Sequence, residues 1–264
     1  MSGSLAGKVA VVTGVAYPNS IGFATAKVLG ERGAMLVILD VSELVHEAAT
    51  TLANFGFTAS PFQVDLTDSA ALGAAVDHTL QRHGHIDILV NNAGLATAGR
   101  PRDPYEHLVE MSEEKWDFGL AINLKTQFLC CKAILPHMLG QGYGRIVNIS
   151  STTGPVLACK GQPEYCAAKA GVLGLTRGLA LEVAADGILV NAVAPGWVDT
   201  GGSSPRGLAG GYATPMGRAA RPEEIAKLVA FLASDDNTYI TGQLIVIDGG
   251  NSIDEYHGPR ELDP

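Results

Sequence analysis

The chain has 264 residues, 47% of them apolar, and a net charge of −9. With no long basic run, that acidic balance excludes partners that demand clustered Lys and Arg, such as nucleic-acid backbones and anionic membrane surfaces. No apolar stretch approaches the length of a membrane span, and the N-terminus lacks the pattern of a signal peptide. Cys130, Cys131, Cys159 and Cys166 form no Cys-x-x-Cys and no zinc spacing, so a soluble cytoplasmic protein with reduced thiols is expected.

Short β-branched runs alternate with longer amphipathic stretches along the whole chain. Strands are predicted at 8–13, 34–39, 58–64, 87–91, 145–150, 188–193 and 243–247. Helices are predicted at 21–32, 42–55, 69–82, 113–139, 163–185 and 222–233. Val9-Ala10-Val11-Val12 and Ile188-Leu189-Val190 are apolar without alternation, as in parallel strands covered on both faces. The βαβα order predicts an α/β fold, a doubly wound Rossmann-like parallel sheet of about seven strands in three α/β/α layers. No Pro/Ser/Gly-rich linker divides the chain, so residues 1–264 read as a single domain. The Gly/Ser-rich segment 200–211 and the polar tail 251–264 are expected to be loops. Ligands of such sheets bind beyond the carboxyl ends of the strands, where the connection order reverses.

The first strand runs into a glycine turn and a helix start, Thr13-Gly14-Val15-Ala16-Tyr17-Pro18-Asn19-Ser20-Ile21-Gly22. Backbone N–H groups and the helix dipole make such a turn a phosphate cradle. Gly14 permits the turn, and Ser20 can cap the helix and reach a phosphate oxygen. Asp40 ends the second strand, where a carboxylate hydrogen-bonds ribose hydroxyls and repels a 2′-phosphate. No Arg or Lys in the turn or at Val41 offsets that repulsion, so NAD is favoured over NADP. Asp65, ending the third strand, is placed to meet the adenine edge or to cap the following helix. Further on, Tyr165 and Lys169 share one helix face at i,i+4 spacing. A free phenol titrates near ~10, and a neighbouring ammonium favours the phenolate. That tuning is what an alcohol–carbonyl interconversion needs from its acid–base.

Asn91-Asn92-Ala93-Gly94 closes the fourth strand, Asn148-Ile149-Ser150-Ser151 the fifth, Pro195-Gly196 follows the sixth and Asp248-Gly249-Gly250 the last. Together with the turn, Asp40 and the Tyr/Lys pair, this order resembles the short-chain dehydrogenase/reductase family over residues 7–250. The resemblance implies that Tyr165 is the acid–base, that Lys169 lowers its pKa and binds the nicotinamide ribose, and that Ser151 bonds the substrate oxygen. Asn123, in Ile122-Asn123-Leu124, matches the family's helix asparagine, which holds a water linking the lysine to solvent. Asn91 would support the adjacent strands or the cofactor. The cofactor would be held by Gly14, Ser20 and Ile21, by Asp40, Asp65 and Leu66, by Asn92, Ala93 and Gly94, and by Pro195, Gly196, Val198 and Thr200 with the Tyr/Lys pair. Relatives commonly assemble as homotetramers through the two long helices.

Two departures stand out. The glycine turn has Ser20 in place of a middle glycine and is two residues longer, as in the enoyl reductases of the same superfamily. Those enzymes space tyrosine and lysine more widely and lack the serine, so Ser151, Tyr165 and Lys169 argue for carbonyl chemistry. The stretch 95–111 is longer than usual beside the expected pocket. The expected function is hydride transfer between NAD and a small-molecule secondary alcohol or ketone. The alternatives are reduction of 3-oxoacyl thioesters, a sugar epimerase, or a catalytically silent NAD sensor. His83 and His85 lack a nearby third ligand, so no metal is expected.

Overall fold

Every residue of β1 (Val9–Thr13) is buried, as a strand covered on both faces requires. The computed structural model describes residues 5–94, 105–200 and 205–254. The other strands are β2 (Met35–Asp40), β3 (Ala59–Gln63), β4 (Ile88–Asn91), β5 (Gly144–Ile149), β6 (Ile188–Pro195) and β7 (Leu244–Ile247). They form one seven-stranded sheet of order β3-β2-β1-β4-β5-β6-β7, and every pairing is parallel. The chain winds outward from β1 to β3, then returns to place β4 on the other side of β1. That reversal opens a crevice beyond the carboxyl ends of β1 and β4.

The helices are α1 (Ile21–Glu31), α2 (Val45–Asn54), α3 (Ser69–His83), α4 (Glu113–Leu120), α5 (Thr126–Gln141), α6 (Pro163–Val183), α7 (Pro205–Ala213) and α8 (Pro222–Leu232). Alternate strand residues feed two cores. Ala10, Val12, Leu36 and Ile38 pack against α1, α2 and α8. Val9, Val11, Val37 and Leu39 meet α3, α5 and α6 on the other face. Each such Val, Leu or Ile side chain withdrawn from water contributes roughly 1.5–3 kcal/mol, so the sheet is the rigid base from which the strand ends project.

Three expectations need correction. The predicted 113–139 helix is interrupted by a π turn at Ala121–Lys125, where Thr126 N–H bonds the Ala121 carbonyl five residues back. Residues 205–211 of the predicted 200–211 loop belong to α7, which runs on to Ala213. And the run Glu113–Gln141 is, by length and composition alone, long enough to cross a membrane. Its α5 portion buries Cys130, Cys131, Ile134 and Met138 against the sheet, which makes it a core element of this fold. Part of the 95–111 stretch and of the 251–264 tail lies outside the described residues.

Candidate active site

The crevice is tied together by Thr13, the polar end of an otherwise apolar strand. Its hydroxyl accepts the N–H groups of Asn92 and Ala93, both at 2.9 Å. The Asn92 side-chain amide donates back to the carbonyls of Thr13 and Gly14 at 3.0 Å. Gly14 has φ +74°, and a Cβ there would stand 2.8 Å from the Asn92 amide nitrogen and 2.9 Å from the Ala93 backbone. A Cβ on Gly22 would strike the Gly14 carbonyl. Only glycine at these two positions lets the first turn of α1 lie against the end of β1.

Ser20 caps α1, its hydroxyl accepting Phe23 N–H at 3.0 Å. The N–H groups of Ile21 and Gly22, in the same turn, have no intrahelical acceptor and suit an anion. Asp40 stands across from them, half-buried at the end of β2. One carboxylate oxygen accepts Ala16 N–H and the other Ser42 N–H, each at 3.0 Å. These bonds fix the carboxylate toward the crevice mouth, and a carboxylate oxygen has further acceptor capacity. An open backbone cradle beside a fixed acceptor fits the phosphates and ribose of a dinucleotide.

Of the two sequence expectations for Asp65, the helix cap is not met. β3 ends at Gln63, and the exposed Asp65 carboxylate accepts the Thr67 N–H and hydroxyl at 2.8 and 2.7 Å. The cap of α3 is Asp68, which accepts Ala70 and Ala71 N–H. Leu66 is buried in the core, 6% exposed. Pro195 ends β6, with Gly196 and Val198 half-buried beyond it and Thr200 exposed.

The second group of residues lies beyond β5. A buried chain locks α6 to the sheet: Asn91 donates to Asn148 at 2.9 Å, Asn148 to Thr176 at 3.0 Å, and Thr176 to the Val172 carbonyl at 2.7 Å. Asn91 therefore braces the strands. Ser150, buried, donates its hydroxyl to the Lys169 carbonyl at 2.8 Å, which makes it a structural serine. Ser151 is half-buried, and its hydroxyl accepts Thr153 N–H at 3.1 Å. Lys169 is 4% exposed, with Nζ donating to the Ile149 carbonyl at 3.0 Å and standing 5.6 Å from the centre of the Tyr165 ring. Burial pushes the Lys169 ammonium down to about 8.

Asn123 sits in the π turn, buried, with its amide donating to the Gly119 carbonyl at 3.0 Å. Its amide oxygen faces Gly94, where a Cβ would approach to 2.7 Å. The π turn thus meets the end of β4, and the structure brings Asn123, Tyr165 and Lys169 to the same end of the sheet as Gly14 and Asn92. Sequence reading missed Thr13 and Gln127. The signal for each was a polar side chain at a position where the surrounding pattern is apolar.

Beyond β6, Trp197 packs against Gly210 of α7 so closely that a Cβ at 210 would enter the indole ring. His85 lies just before β4, at the end of the central strands away from the crevice, 3.2 Å from Asp87. Among the described residues no group of three His, Cys, Asp or Glu is placed to hold a metal. The four cysteines form no disulfide, and Cys130 and Cys131 are 1% and 3% exposed.

Residues 14–252 match the family model described as enoyl-(acyl carrier protein) reductase. The chain is 42% identical to the cis-4-hydroxycyclohexanecarboxylate dehydrogenase of Sinomonas cyclohexanicum, over 95% of this chain and 98% of that protein. It is 39% identical to the 3-oxoacyl-[acyl-carrier-protein] reductase FabG of Thermotoga maritima, over 93% and 98%. A crystal structure from Burkholderia xenovorans, assigned to the short-chain dehydrogenases/reductases, superposes with a TM-score of 0.87 at 35% identity, covering 96% of this chain and 99% of that one.

Proposed function

The chain belongs to the short-chain dehydrogenase/reductase family of nicotinamide-dependent oxidoreductases, and from that premise we propose that it moves hydride between NAD and a secondary alcohol or ketone. The observation that carries this reading is the buried Lys169 ammonium on the same helix face as Tyr165, 5.6 Å from its ring centre. In alcohol oxidation the Tyr165 phenol oxygen takes the hydroxyl proton as hydride leaves the carbinol carbon. Bound NAD supplies the hydride acceptor. Lys169 stabilises the negative charge from which the tyrosine acts, and the Ser151 hydroxyl bonds the substrate oxygen as its charge changes. Asn123, beside Gly94, supports a water path from Lys169 to solvent. The matched family model is described for enoyl reductases, yet the i,i+4 Tyr/Lys pair together with Ser151 supports carbonyl chemistry.

Asp40 supports NAD over NADP. A 2′-phosphate at the end of β2 would face a carboxylate already fixed by Ala16 and Ser42, a like-charge contact of roughly 1–4 kcal/mol between the bulk-water and protein-surface limits. The expected result is a preference for NAD of more than about tenfold in kcat/KM. The test is a panel of secondary alcohols and ketones with each cofactor, followed by nicotinamide absorbance. cis-4-Hydroxycyclohexanecarboxylate and a 3-oxoacyl thioester are included because relatives are named for such substrates. Preference for NADP would favour the thioester-reductase reading, and tight NAD binding without turnover a sensor.

The subunit is also proposed to form a homotetramer through α5 and α6. The groove beside these helices is lined by Leu120, Leu124, Phe128 and Leu175, and Phe128 is 44% exposed. Apolar surface of this kind on a core helix supports burial against a second copy. Light scattering should give four subunit masses at micromolar concentration; a monomer there would rule the assembly out.

A further inference from the structure

We infer that Gln127 is a positioning residue for Lys169, holding the carbonyl on which the ammonium rests and shielding it from full possession by the lysine. The inference rests on the reading of Lys169 as half of the acid–base pair. Gln127 is 1% exposed and sits at the start of α5, immediately beyond the π turn. Its side-chain amide nitrogen donates to the Ile149 carbonyl at 3.1 Å, the same oxygen that receives Lys169 Nζ at 3.0 Å. A carbonyl oxygen has two lone pairs, so the two donors together saturate it.

The π turn explains how a glutamine comes to be there. Widening the helix sends Thr126 N–H to the Ala121 carbonyl and so deprives the Ile122 carbonyl of its usual donor four residues on. The Thr126 hydroxyl covers it at 3.0 Å, and the Gln127 side-chain amide approaches the neighbouring Asn123 carbonyl at 3.5 Å. The Ile149 bond is the shorter, so the amide is aimed chiefly at the end of β5. Its orientation is fixed by chemistry, because exchanging its nitrogen and oxygen would press the oxygen against two carbonyls. The Gln127 amide oxygen is buried without a hydrogen-bond partner among the described residues. A buried amide half satisfied is a poor stabiliser compared with an apolar side chain, so packing alone does not account for glutamine here.

The sign of its effect on Lys169 follows from this geometry. Tyr165 is the titratable group facing the ammonium, from α6 itself. The π turn contributes Asn123, α5 contributes Gln127, and β5 contributes the Ile149 carbonyl. The amide protons of Gln127, the positive end of its dipole, crowd the oxygen that would otherwise serve the ammonium alone. Removing them leaves both lone pairs to Nζ and favours the charged lysine.

The test follows Lys169 directly, in the full-length cofactor-free protein labelled with ¹³Cε-lysine. Its NMR signal is assigned by its loss in Lys169→Met. Gln127→Met is expected to raise the Lys169 titration midpoint by half a unit or more. Gln127→Glu, close in shape and anionic, should raise it further and serves if the methionine variant does not fold. A midpoint unmoved or lowered, with only the melting temperature changed, overturns the inference and leaves Gln127 a structural prop. The acid–base reading fails separately, if Lys169→Met turns over alcohol at a near-normal rate.

Discussion

Tyr165→Phe is expected to lower kcat by about 10²–10⁴-fold, the range contributed by a positioned general acid–base, while NAD affinity changes by no more than a few-fold. The substitution removes one oxygen and keeps the ring, so the packing of the half-buried side chain is preserved. What is lost is the only proton acceptor that the proposed mechanism provides for the alcohol. Ser151 cannot replace it, because a hydroxyl without a charged neighbour is too weak a base at neutral pH. Lys169 is bonded to the Ile149 carbonyl, and it acts through the phenol. Most of the proposed cofactor contacts belong to other residues, among them the turn at Gly14 and the carboxylate of Asp40, which stay in place. Steady-state rates with the best alcohol of the panel and nicotinamide fluorescence titration measure the two halves separately. A variant rate within tenfold of the native enzyme would remove Tyr165 from the proton-transfer role. A rate loss matched by a loss of NAD affinity would make it a binding residue instead.

The sheet was legible because its signals are strong and local. Val9 to Val12 and Ile188 to Val190 are apolar without alternation, and the structure buries these strands on both faces. The glycine turn after β1, the Asn92 segment after β4 and Ser151 after β5 were legible for the same reason: each follows a strand end. Three features were hidden by competing physics. The π turn at Ala121–Lys125 is one residue of extra winding inside an unbroken helical pattern, and side-chain bonds from Asn123, Thr126 and Gln127 sustain it. No local propensity announces that. α7 lies in a glycine-rich segment that reads as loop, since glycine disfavours helices. Gly210 and Gly211 are needed there because Trp197 and the Ala219 backbone come too close for any side chain. Asp65 and Asp68 are both acids before a helix. Choosing the cap between them requires knowing that β3 ends at Gln63 and leaves room for a turn at Asp65–Thr67.

Lys169→Met should abolish most turnover and yet make the cofactor-free protein more stable at pH 7. Lys169 is buried, and burial alone pushes its ammonium down to about 8 from an unfolded value near 10.5. Below pH 8 both folded and unfolded chains carry the charge, and the folded chain bears the full cost of burying it. Between pH 8 and 10.5 the folded chain has released the proton while the unfolded chain still holds it. Stability then rises with pH, because the unfolded state binds more protons. The gap corresponds to roughly 3 kcal/mol, from which the lost bond to the Ile149 carbonyl takes about 1 kcal/mol. Methionine fills a similar volume without the charge, so a gain of about 2 kcal/mol is expected at pH 7, shrinking towards zero or below by pH 10.5. Urea unfolding at the two pH values, with and without Lys169→Met in a common Tyr165→Phe background, isolates the effect, since the phenol coupled to Lys169 then no longer titrates. Equal stabilities at pH 7, or a difference that does not change with pH, would show that the buried ammonium carries no such cost. A stabilised but inactive variant would instead show that the fold tolerates a strained charge for the sake of the proton it helps Tyr165 to move.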